Sequence, residues 1–489
     1  MTLDLNARLQ RLVDDVLDRL RTESDIHAAF SLAHWLTTLL WKNHSRIYHL
    51  SELETILLDK LSPLPGASTE PRACEDLEIH LATEVYRSGG HTPLMAHLIE
   101  QAARPVEVLL SRMTDVELAA QALGLPVERV HSSGPEALPE ARVQALARRL
   151  LLANRVIVSI HPNDVVGAVA LRMAKAMRPD LPIGFMNHAD HVFSTGIGAC
   201  DHVFEISAYG WALREARNTI DRSTFVGIPI RPRVTPVTAR TGSAEPPLLL
   251  TGGSPYKFRP LPGLSLPPLL ADVLKRHPAV TLTALGPTPR DWWWWPLRAS
   301  FRRRVRVCHA VPKEQYQQLL QQCSVYIDSH PIPGGTALPE ALMAGRNVAG
   351  IRGVVWGYSC ADELLDVDAG SFQVSCTGLL EGAPQPLARQ QEMRERCAEW
   401  HEPSSVRRRL DDSWSGPRSA PPTGVGMQPT QYRPLEQVWL DAGRVTHPGR
   451  RECPLNSADK RWLAHRHLVH FGWRSWSTLK ILFYAYVRS

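Results

Sequence analysis

The stretch SVYIDSHPIPGGTALPEALMAGRNV, residues 324–348, decides the fold that we expect for this chain. A short hydrophobic run ends at Asp328, a turn rich in proline and glycine follows, and a helical pattern begins near Thr336. This order of strand, turn and helix is the repeating unit of a parallel sheet. In such sheets, ligands bind beside the carboxyl ends of the strands, so each strand-to-helix junction is a candidate site.

The turn of this stretch has the features of a diphosphate site. Gly334 and Gly335 let the backbone approach a ligand closely, and the amides of residues 335–337 are donors at the start of a helix. Glu340 follows Thr336 by four residues, on the same helix face, where its carboxylate can accept from two ribose hydroxyls. The alternative, in which Glu340 is a surface acid after an ordinary turn, stays open.

The same rhythm of short hydrophobic runs and helical segments fills most of the chain and predicts an α/β protein. It occurs in two consecutive regions, separated by a polar, proline-rich break at 232–247. We therefore expect four parts: a helical N-terminal extension (1–75), a first Rossmann-like domain (76–240), a second one (241–385), and a helix with a basic aromatic tail (386–489).

The charge distribution argues against a nucleic-acid partner. The 489 residues include 55 Lys and Arg against 49 Asp and Glu, and residues 441–489 hold nine of these bases and three of these acids. The remainder is therefore balanced at 46 against 46, without a broad basic surface. The eight cysteines form no C-x-x-C pair, and the chain has no secretory or membrane-spanning pattern, so we expect a cytoplasmic protein.

Three further junctions carry candidate side chains. Lys257 follows a strand and a Gly-Gly turn in PLLLTGGSPYKFRP, where a lysine provides a mobile charge for phosphate. His91 follows another Gly-Gly turn and is a candidate general base. Past a third strand come His188, Asp190 and His191, which we expect to face a substrate; no further ligand pair supports a metal there. A solvent-facing Lys257 and a His91 that only caps its helix remain the alternatives.

Taken together, residues 248–258 and 305–351 resemble the nucleotide-sugar-binding domain of GT-B glycosyltransferases, particularly the O-GlcNAc transferase family and its bacterial relatives. The resemblance implies two Rossmann-like domains that face a cleft. It also implies the transfer of a sugar from a nucleotide-diphosphate donor, with UDP as the first guess for the nucleotide, to a hydroxyl of a glycan or lipid-linked saccharide. Neither a metal nor another cofactor is expected.

The resemblance also implies roles for individual residues. Lys257 and the Gly334–Gly335–Thr336 turn would hold the donor diphosphate, and Glu340 would bind the ribose. His309 and Val311 would flank the base. The expected catalytic residues are His91, His188, Asp190 and His191. The chain departs from the pattern in having Ile332 where retaining enzymes with a paired glutamate carry an acid, so the stereochemistry stays open.

Other features leave further possibilities. Trp292–Trp295 predict either a sugar-stacking or interfacial surface or an irregular loop, and the aromatic, basic segment 461–489 predicts either peripheral contact with a membrane or packing on the body. Residues 115–133 scan like a DNA-binding helix-turn-helix, but the presumed second helix carries Glu128 and one arginine, Arg129, which argues against contact with DNA. A nucleotide-sugar epimerase and a non-catalytic binding protein that keeps the fold are the alternative functions.

Overall fold

The computed structural model describes residues 5–64, 76–86, 90–134, 137–231, 246–309, 311–422, 435–442, 445–449, 452–472 and 481. The expected linker at 62–72 and the break at 232–247 lie mostly outside these ranges.

The first domain is built on a parallel sheet of seven strands in the order β3-β2-β1-β4-β5-β6-β7. Its strands are β1 (Glu78–Ala82), β2 (Val106–Leu110), β3 (Val130–Ser132), β4 (Arg155–Ser159), β5 (Ile183–Asn187), β6 (His202–Glu205) and β7 (Ser223–Phe225). Strands β1, β4 and β5 are buried along their whole length, as expected for a parallel sheet covered on both faces. The helices of this part are α1 (Leu5–Thr22), α2 (Ile26–Trp41), α3 (Ser51–Leu58), α4 (His91–Glu100), α5 (Val116–Leu123), α6 (Pro139–Leu150), α7 (Val165–Met177) and α8 (Ala208–Ala212).

The second domain has a parallel sheet of five strands in the order β10-β9-β8-β11-β12. The strands are β8 (Leu248–Gly252), β9 (Thr281–Leu285), β10 (Val305–Cys308), β11 (Val325–Ile327) and β12 (Asn347–Ala349). The helices from here to the C-terminus are α9 (Leu266–Arg276), α10 (Trp295–Phe301), α11 (Lys313–Gln322), α12 (Ala337–Met343), α13 (Ala369–Glu381), α14 (Pro384–His401), α15 (Pro403–Asp412), α16 (Leu435–Ala442) and α17 (Ser457–Phe471). The two parallel sheets confirm the α/β prediction.

Residues 115–133 do not form a helix-turn-helix, the alternative that their shortage of basic side chains disfavours. Helix α5 ends at Gly124, which has a left-handed φ of 69°, and a short 3-10 turn then leads into strand β3. Glu128 and Arg129 of the presumed second helix lie in this 3-10 turn, and Val130 pairs with Val108 in an edge strand. Burial of Val130 against the sheet prevails over a weak helical pattern.

The N-terminal helices and the described part of the tail pack together on the first domain. Leu9, Leu12 and Val16 of α1 are fully buried in the same core as β1 and β4. Helix α17 lies against α1, where its Arg466 and His470 both pair with Asp15. Residues 461–472 therefore pack on the body, while the rest of the segment for which membrane contact was predicted lies outside the described residues, apart from Ile481.

The four consecutive tryptophans divide between core and surface. Trp294 is 1% exposed and packs edge-on to Phe258, whereas Trp292 and Trp295 are more than half exposed. Four adjacent large rings cannot face one core, and the 3-10 turn Trp292–Trp294 points them in different directions. Within the described ranges, no helix is both long and apolar enough to cross a membrane.

Candidate functional site

The candidate donor side lies at the carboxyl edge of the second sheet, between β8 and β11. The strand order changes direction between these two strands, and open α/β sheets form their ligand crevice at such a point. Lys257 stands in the 3-10 turn Pro255–Phe258 after β8. Its Nζ donates to the carbonyl oxygens of Pro333 at 2.9 Å and Gly334 at 3.0 Å. The structure thus brings the predicted lysine and the predicted glycine turn together.

Asp328 holds the glycine turn in shape. Its Oδ1 accepts from the amides of Ser329 and Gly334, both at 2.9 Å. A Cβ on Gly334 would lie 2.7 Å from this oxygen, and Gly335 has a φ of 67°, so both glycines are required by the backbone. Burial, with Asp362 nearby, raises the pKa of Asp328 to about 7, and the same burial lowers the pKa of Lys257.

Thr336 and Glu340 form the first turn of α12. The first helical hydrogen bond runs from Glu340 N to Thr336 O at 3.1 Å, so the amides of residues 335–337 precede it and are not used inside the helix. Glu340 is partly buried and one turn from Thr336, as predicted.

His309 and Val311 lie at the same edge of the sheet but farther out. Both follow β10, the outer strand, which β9 separates from β8. His309 is exposed, with its Nδ1 3.1 Å from the carbonyl oxygen of Gly286, and Val311 is partly buried. Among the described residues, neither side chain contacts Lys257 or Thr336. The predicted contact of His309 and Val311 with the nucleobase therefore rests on the position of β10 alone.

The facing edge of the first domain carries a cluster of histidines. His91 begins α4 after β1, and its Nε2 lies 2.9 Å from the carbonyl oxygen of Ser159 at the end of β4. Because a carbonyl only accepts, Nε2 carries the proton and Nδ1 is left with a lone pair. The His188 ring lies 4.5 Å from that of His91. Burial lowers the pKa of both, so they are neutral at physiological pH.

Asp190 and His191 form a pair beside this cluster. The Asp190 carboxylate is buried, accepts from Ser207 Oγ and lies 3.2 Å from His191 Nδ1. Asn187 and Glu205 form a second buried pair at the ends of β5 and β6, with the amide donating to the carboxylate at 2.7 Å. These contacts fix the loop that carries Asp190 and His191.

The two domains meet at this cluster. A Cβ built on Gly90 would lie 3.0 Å from Thr336 Oγ1, so the glycine turn before His91 lies directly against the second domain. Tyr209 N donates to Gly357 O at 2.9 Å, and Tyr358 Oη lies 3.4 Å from His191 Nδ1. The turn before His91, and His191 itself, therefore lie where the two domains meet, and the His188 ring lies against that of His91.

A cavity of about 430 Å³ opens beside His191. It is formed by the α2–α3 loop, the loop after β5, and α8 with the turn that follows it. Its polar lining side chains are Asn43, His44, Ser45, Arg46, Tyr48, His191, Tyr209 and Glu436. Burial lowers the pKa of His44 to about 4, so this histidine is neutral.

Sequence reasoning missed two tyrosines that meet across the seam, Tyr209 of the first domain and Tyr358 of the second. Their rings are tilted by 32° with centroids 5.8 Å apart, and neither belongs to a motif that predicts a site. The only signal for Tyr358 is its position after Gly357, which has a φ of 90° and marks a sharp turn.

Comparison with solved structures identifies this architecture. Anabaena HepE in complex with UDP-glucose matches at a TM-score of 0.52 and 14% identity, over 69% of this chain and 99% of the other. The pneumococcal O-GlcNAc transferase GtfA with UDP and GlcNAc matches at 0.51 and 9% identity, over 70% and 99%, and TarM at 0.54 and 9%, also over 70% and 99%. The chain has the GT-B fold.

These neighbours are GT-B glycosyltransferases, as the resemblance predicted. No family model and no curated protein matches the sequence. At identities of 9–14% the likeness concerns the GT-B fold alone, so the reaction has to be argued from this chain's own residues.

Proposed function

We propose that this GT-B chain transfers a sugar from a nucleotide-diphosphate donor, with UDP as its nucleotide, to a hydroxyl of a glycan or lipid-linked saccharide. The observation that carries the proposal is the convergence of two sets of residues on one seam. Lys257 and the Gly334–Thr336 turn come from the second sheet, and His91, His188 and His191 come from the first. GT-B neighbours hold UDP and UDP-glucose, which supports the choice of nucleotide.

The donor side would act on the leaving group. As the bond between sugar and diphosphate breaks, negative charge develops on the diphosphate, and preorganised donors stabilise it best where water is excluded. Lys257 and the amides of residues 335–337 supply such donors. The present bonds from Lys257 Nζ to two carbonyls place the ammonium group at the turn before any ligand arrives. Glu340 would bind the ribose, and His309 and Val311 would flank the base.

The first domain would activate the acceptor. His191 lines the cavity, and Asp190 can hold its Nδ1 proton, which leaves Nε2 to accept a proton from a hydroxyl nucleophile. His91, the general base expected from the sequence, and His188 are neutral imidazoles that we propose line the donor sugar, because His91 Nε2 already donates to the Ser159 carbonyl oxygen. The cavity beside His191 gives an acceptor a place, which favours transfer over epimerisation of the donor in a closed site.

We propose that these side chains neutralise the diphosphate without a metal. The rate of transfer should then be independent of added Mg²⁺ or Mn²⁺.

Peripheral contact of residues 461–489 with the inner face of the membrane stays a prediction.

A thermal-shift screen tests the proposal. UDP, GDP, CDP and their sugars are added to the full chain, and a ligand that binds only the folded state raises the melting temperature. We expect UDP compounds to give the largest shift, and UDP release from a UDP-sugar to follow. Donor binding without any release or transfer would favour a binding protein, and an altered sugar recovered without acceptor would favour an epimerase. No shift with any nucleotide would refute the proposal.

A further inference from the structure

Three side chains that the proposed reaction does not use meet inside the second domain. Cys360 begins a 3-10 turn, Cys360–Leu364, and Cys397 and His401 lie four residues apart on one face of α14. All three are fully buried. Helix α14 packs closely on the 3-10 turn, which brings residues 37 positions apart in the sequence into contact.

Their donor atoms form a compact set. The two Sγ atoms are 3.2 Å apart, and the ligand atoms of all three residues lie within 4.8 Å of one another. His401 Nδ1 lies 3.0 Å from the carbonyl oxygen of Ile228, so Nδ1 carries the ring proton. The other nitrogen, Nε2, therefore has a lone pair. It is buried and has no hydrogen-bond partner among the residues that the structure describes.

We propose that Cys360, Cys397 and His401 bind a thiophilic metal ion, with Zn²⁺ as the one that the donors fit best. Two thiolates and an imidazole are ligands that Zn²⁺ prefers, at about 2.3 Å for sulfur and about 2.0 Å for nitrogen. Donor atoms within 4.8 Å of one another can reach such distances by small side-chain movements.

Charge balance supports a divalent cation at this position. An isolated thiolate is costly in a dry interior, but two thiolates and one Zn²⁺ sum to zero. Binding replaces both thiol protons, which pass to solvent, and the neutral imidazole offers its lone pair without losing a proton. The hydrogen bond from His401 Nδ1 to Ile228 O is the outer contact that commonly orients a ligating histidine.

The position links this site to the seam between the domains. Cys360 follows Tyr358 by two residues, and Tyr358 contacts His191 of the first domain. Ile228 lies where the chain leaves the first domain after β7. A metal here would fasten the Tyr358 loop to α14 at the hinge. The inference goes beyond sugar transfer and does not depend on it.

Metal analysis of the full chain, expressed with Zn²⁺ or Co²⁺ in the medium, tests the proposal. We expect about one metal ion per chain and, with Co²⁺, the intense charge-transfer absorption of cobalt–thiolate bonds. The substitutions Cys360→Ser, Cys397→Ser and His401→Gln should each abolish binding. Cys376→Ser is the matched control, since Cys376 is equally buried but lies outside the cluster, and it should bind metal normally.

If a variant fails to fold, measurements on the parent chain alone test the metal site. Two reactive thiols that Zn²⁺ protects in the folded chain would support the site. A reduced chain that takes up no Zn²⁺ or Co²⁺ would overturn it. A chain with a Cys360–Cys397 disulfide, seen by intact mass before and after reduction, would overturn it as well. Because these readouts involve no nucleotide, failure of the metal site and failure of the proposed transfer are distinguishable.

Discussion

Gly90 of the first domain and Thr336 of the second face each other so closely that a methyl group on Gly90 would stand 3.0 Å from Thr336 Oγ1. Gly90 has an ordinary right-handed backbone, with φ −79° and ψ −20°, so alanine is conformationally allowed there. A methyl group on Gly90 would therefore require the Thr336 side chain of the opposite domain to move. The contact places the start of α4 beside the proposed diphosphate turn.

Gly90→Ala should therefore weaken donor binding while leaving the first domain folded. The new methyl group has to displace Thr336 or open the seam, and we expect UDP affinity to fall about tenfold, or about 1.4 kcal/mol. Thr336→Ala keeps the amide that is proposed to bind phosphate and removes the clash. The double variant should thus regain most of the affinity in isothermal titration; a double variant as weak as Gly90→Ala would contradict the close contact.

Lys257→Met should cost more than any change in the neighbouring turn. A charged hydrogen-bond donor contributes about 1.5–3 kcal/mol when its partner is buried, so UDP should bind about 10–100 times more weakly. Methionine keeps most of the length of the side chain and so separates charge from packing. Lys275→Met, at an exposed lysine of α9, is the control and should bind UDP as the parent does. Equal affinity of the two variants would exclude Lys257 from the donor site.

His191→Ala should abolish transfer without affecting donor binding. A positioned general base contributes about 10²–10⁴-fold to rate, and we expect a fall in kcat of that size with UDP affinity unchanged. Asp190→Asn should lower kcat as well, because the neutral amide no longer stabilises the protonated imidazole. The exposed His465 of α17 provides a control substitution, His465→Ala. If His91→Ala lost transfer in the same way and His191→Ala did not, the base would be His91.

The local sequence pattern was enough to predict the strand, turn and helix of the site, but not the residues of the other domain that they contact. Strand, glycine turn and helix at 324–348 are dictated by short-range chemistry, since Gly335 has a positive φ and Asp328 binds the turn amides, and the turn formed where it was predicted. The contacts of Tyr358 with His191 and of Gly90 with Thr336 join residues from different domains. No spacing along the chain encodes them.

The same distinction applies to residues 115–133, where a pattern similar to a helix-turn-helix ends in a strand. Residues 130–132 have no strong strand pattern of their own, and they become strand β3 because β2 offers an unpaired edge. Cys360 and Cys397 are likewise far apart in the sequence and without a C-x-x-C signature. Tertiary packing, rather than any local motif, makes them neighbours.

Asp328 should contribute a stabilising term that is lost as the pH rises from about 4 to about 7, opposite in sign to the contribution of buried histidines such as His44, whose pKa is lowered to about 4. Burial raises the pKa of Asp328 from 3.8 to about 7, so in this range the folded chain holds a proton that the unfolded chain has released. The stabilising contribution is present below pH 4 and disappears as Asp328 ionises. Asp328→Asn keeps an oxygen for the amides of Ser329 and Gly334 but does not ionise. At pH 8 we expect this variant to be more stable than the parent by about 1–3 kcal/mol.

Denaturant titrations at pH 4, 6 and 8 measure this effect. The free energy of unfolding of Asp328→Asn minus that of the parent should increase from pH 4 to pH 8. Both chains keep the contributions of the buried histidines and of Asp362, whose pKa burial raises to about 6. Asp272→Asn, at an exposed acid of α9, should follow the parent. A slope of stability against pH unchanged by Asp328→Asn would mean that this carboxyl is ionised throughout the range.

Glu78, which connects β1 to the C-terminal helices, should affect the pH dependence of stability in the opposite direction. Burial alone would raise its pKa, but hydrogen bonds from His80 and Arg407 hold the pKa well below the usual 4.5. Its contribution is thus present above about pH 4.5 and is lost as the pH falls. Arg155 donates to the same carboxylate at 2.8 Å, and Arg407 comes from α15, 329 residues away.

Arg407→Leu should destabilise the chain by about 3–5 kcal/mol at pH 7, because it leaves Glu78 buried with less compensation. The adjacent Arg408 is exposed, so Arg408→Leu is a matched control and should change the free energy of unfolding by less than about 0.5 kcal/mol. Adding Glu78→Gln to Arg407→Leu removes the uncompensated charge and should restore part of the loss. If the double variant were less stable than Arg407→Leu, the glutamate would be held by Arg155 and His80 alone, and α15 would be anchored to the first domain by its apolar contacts.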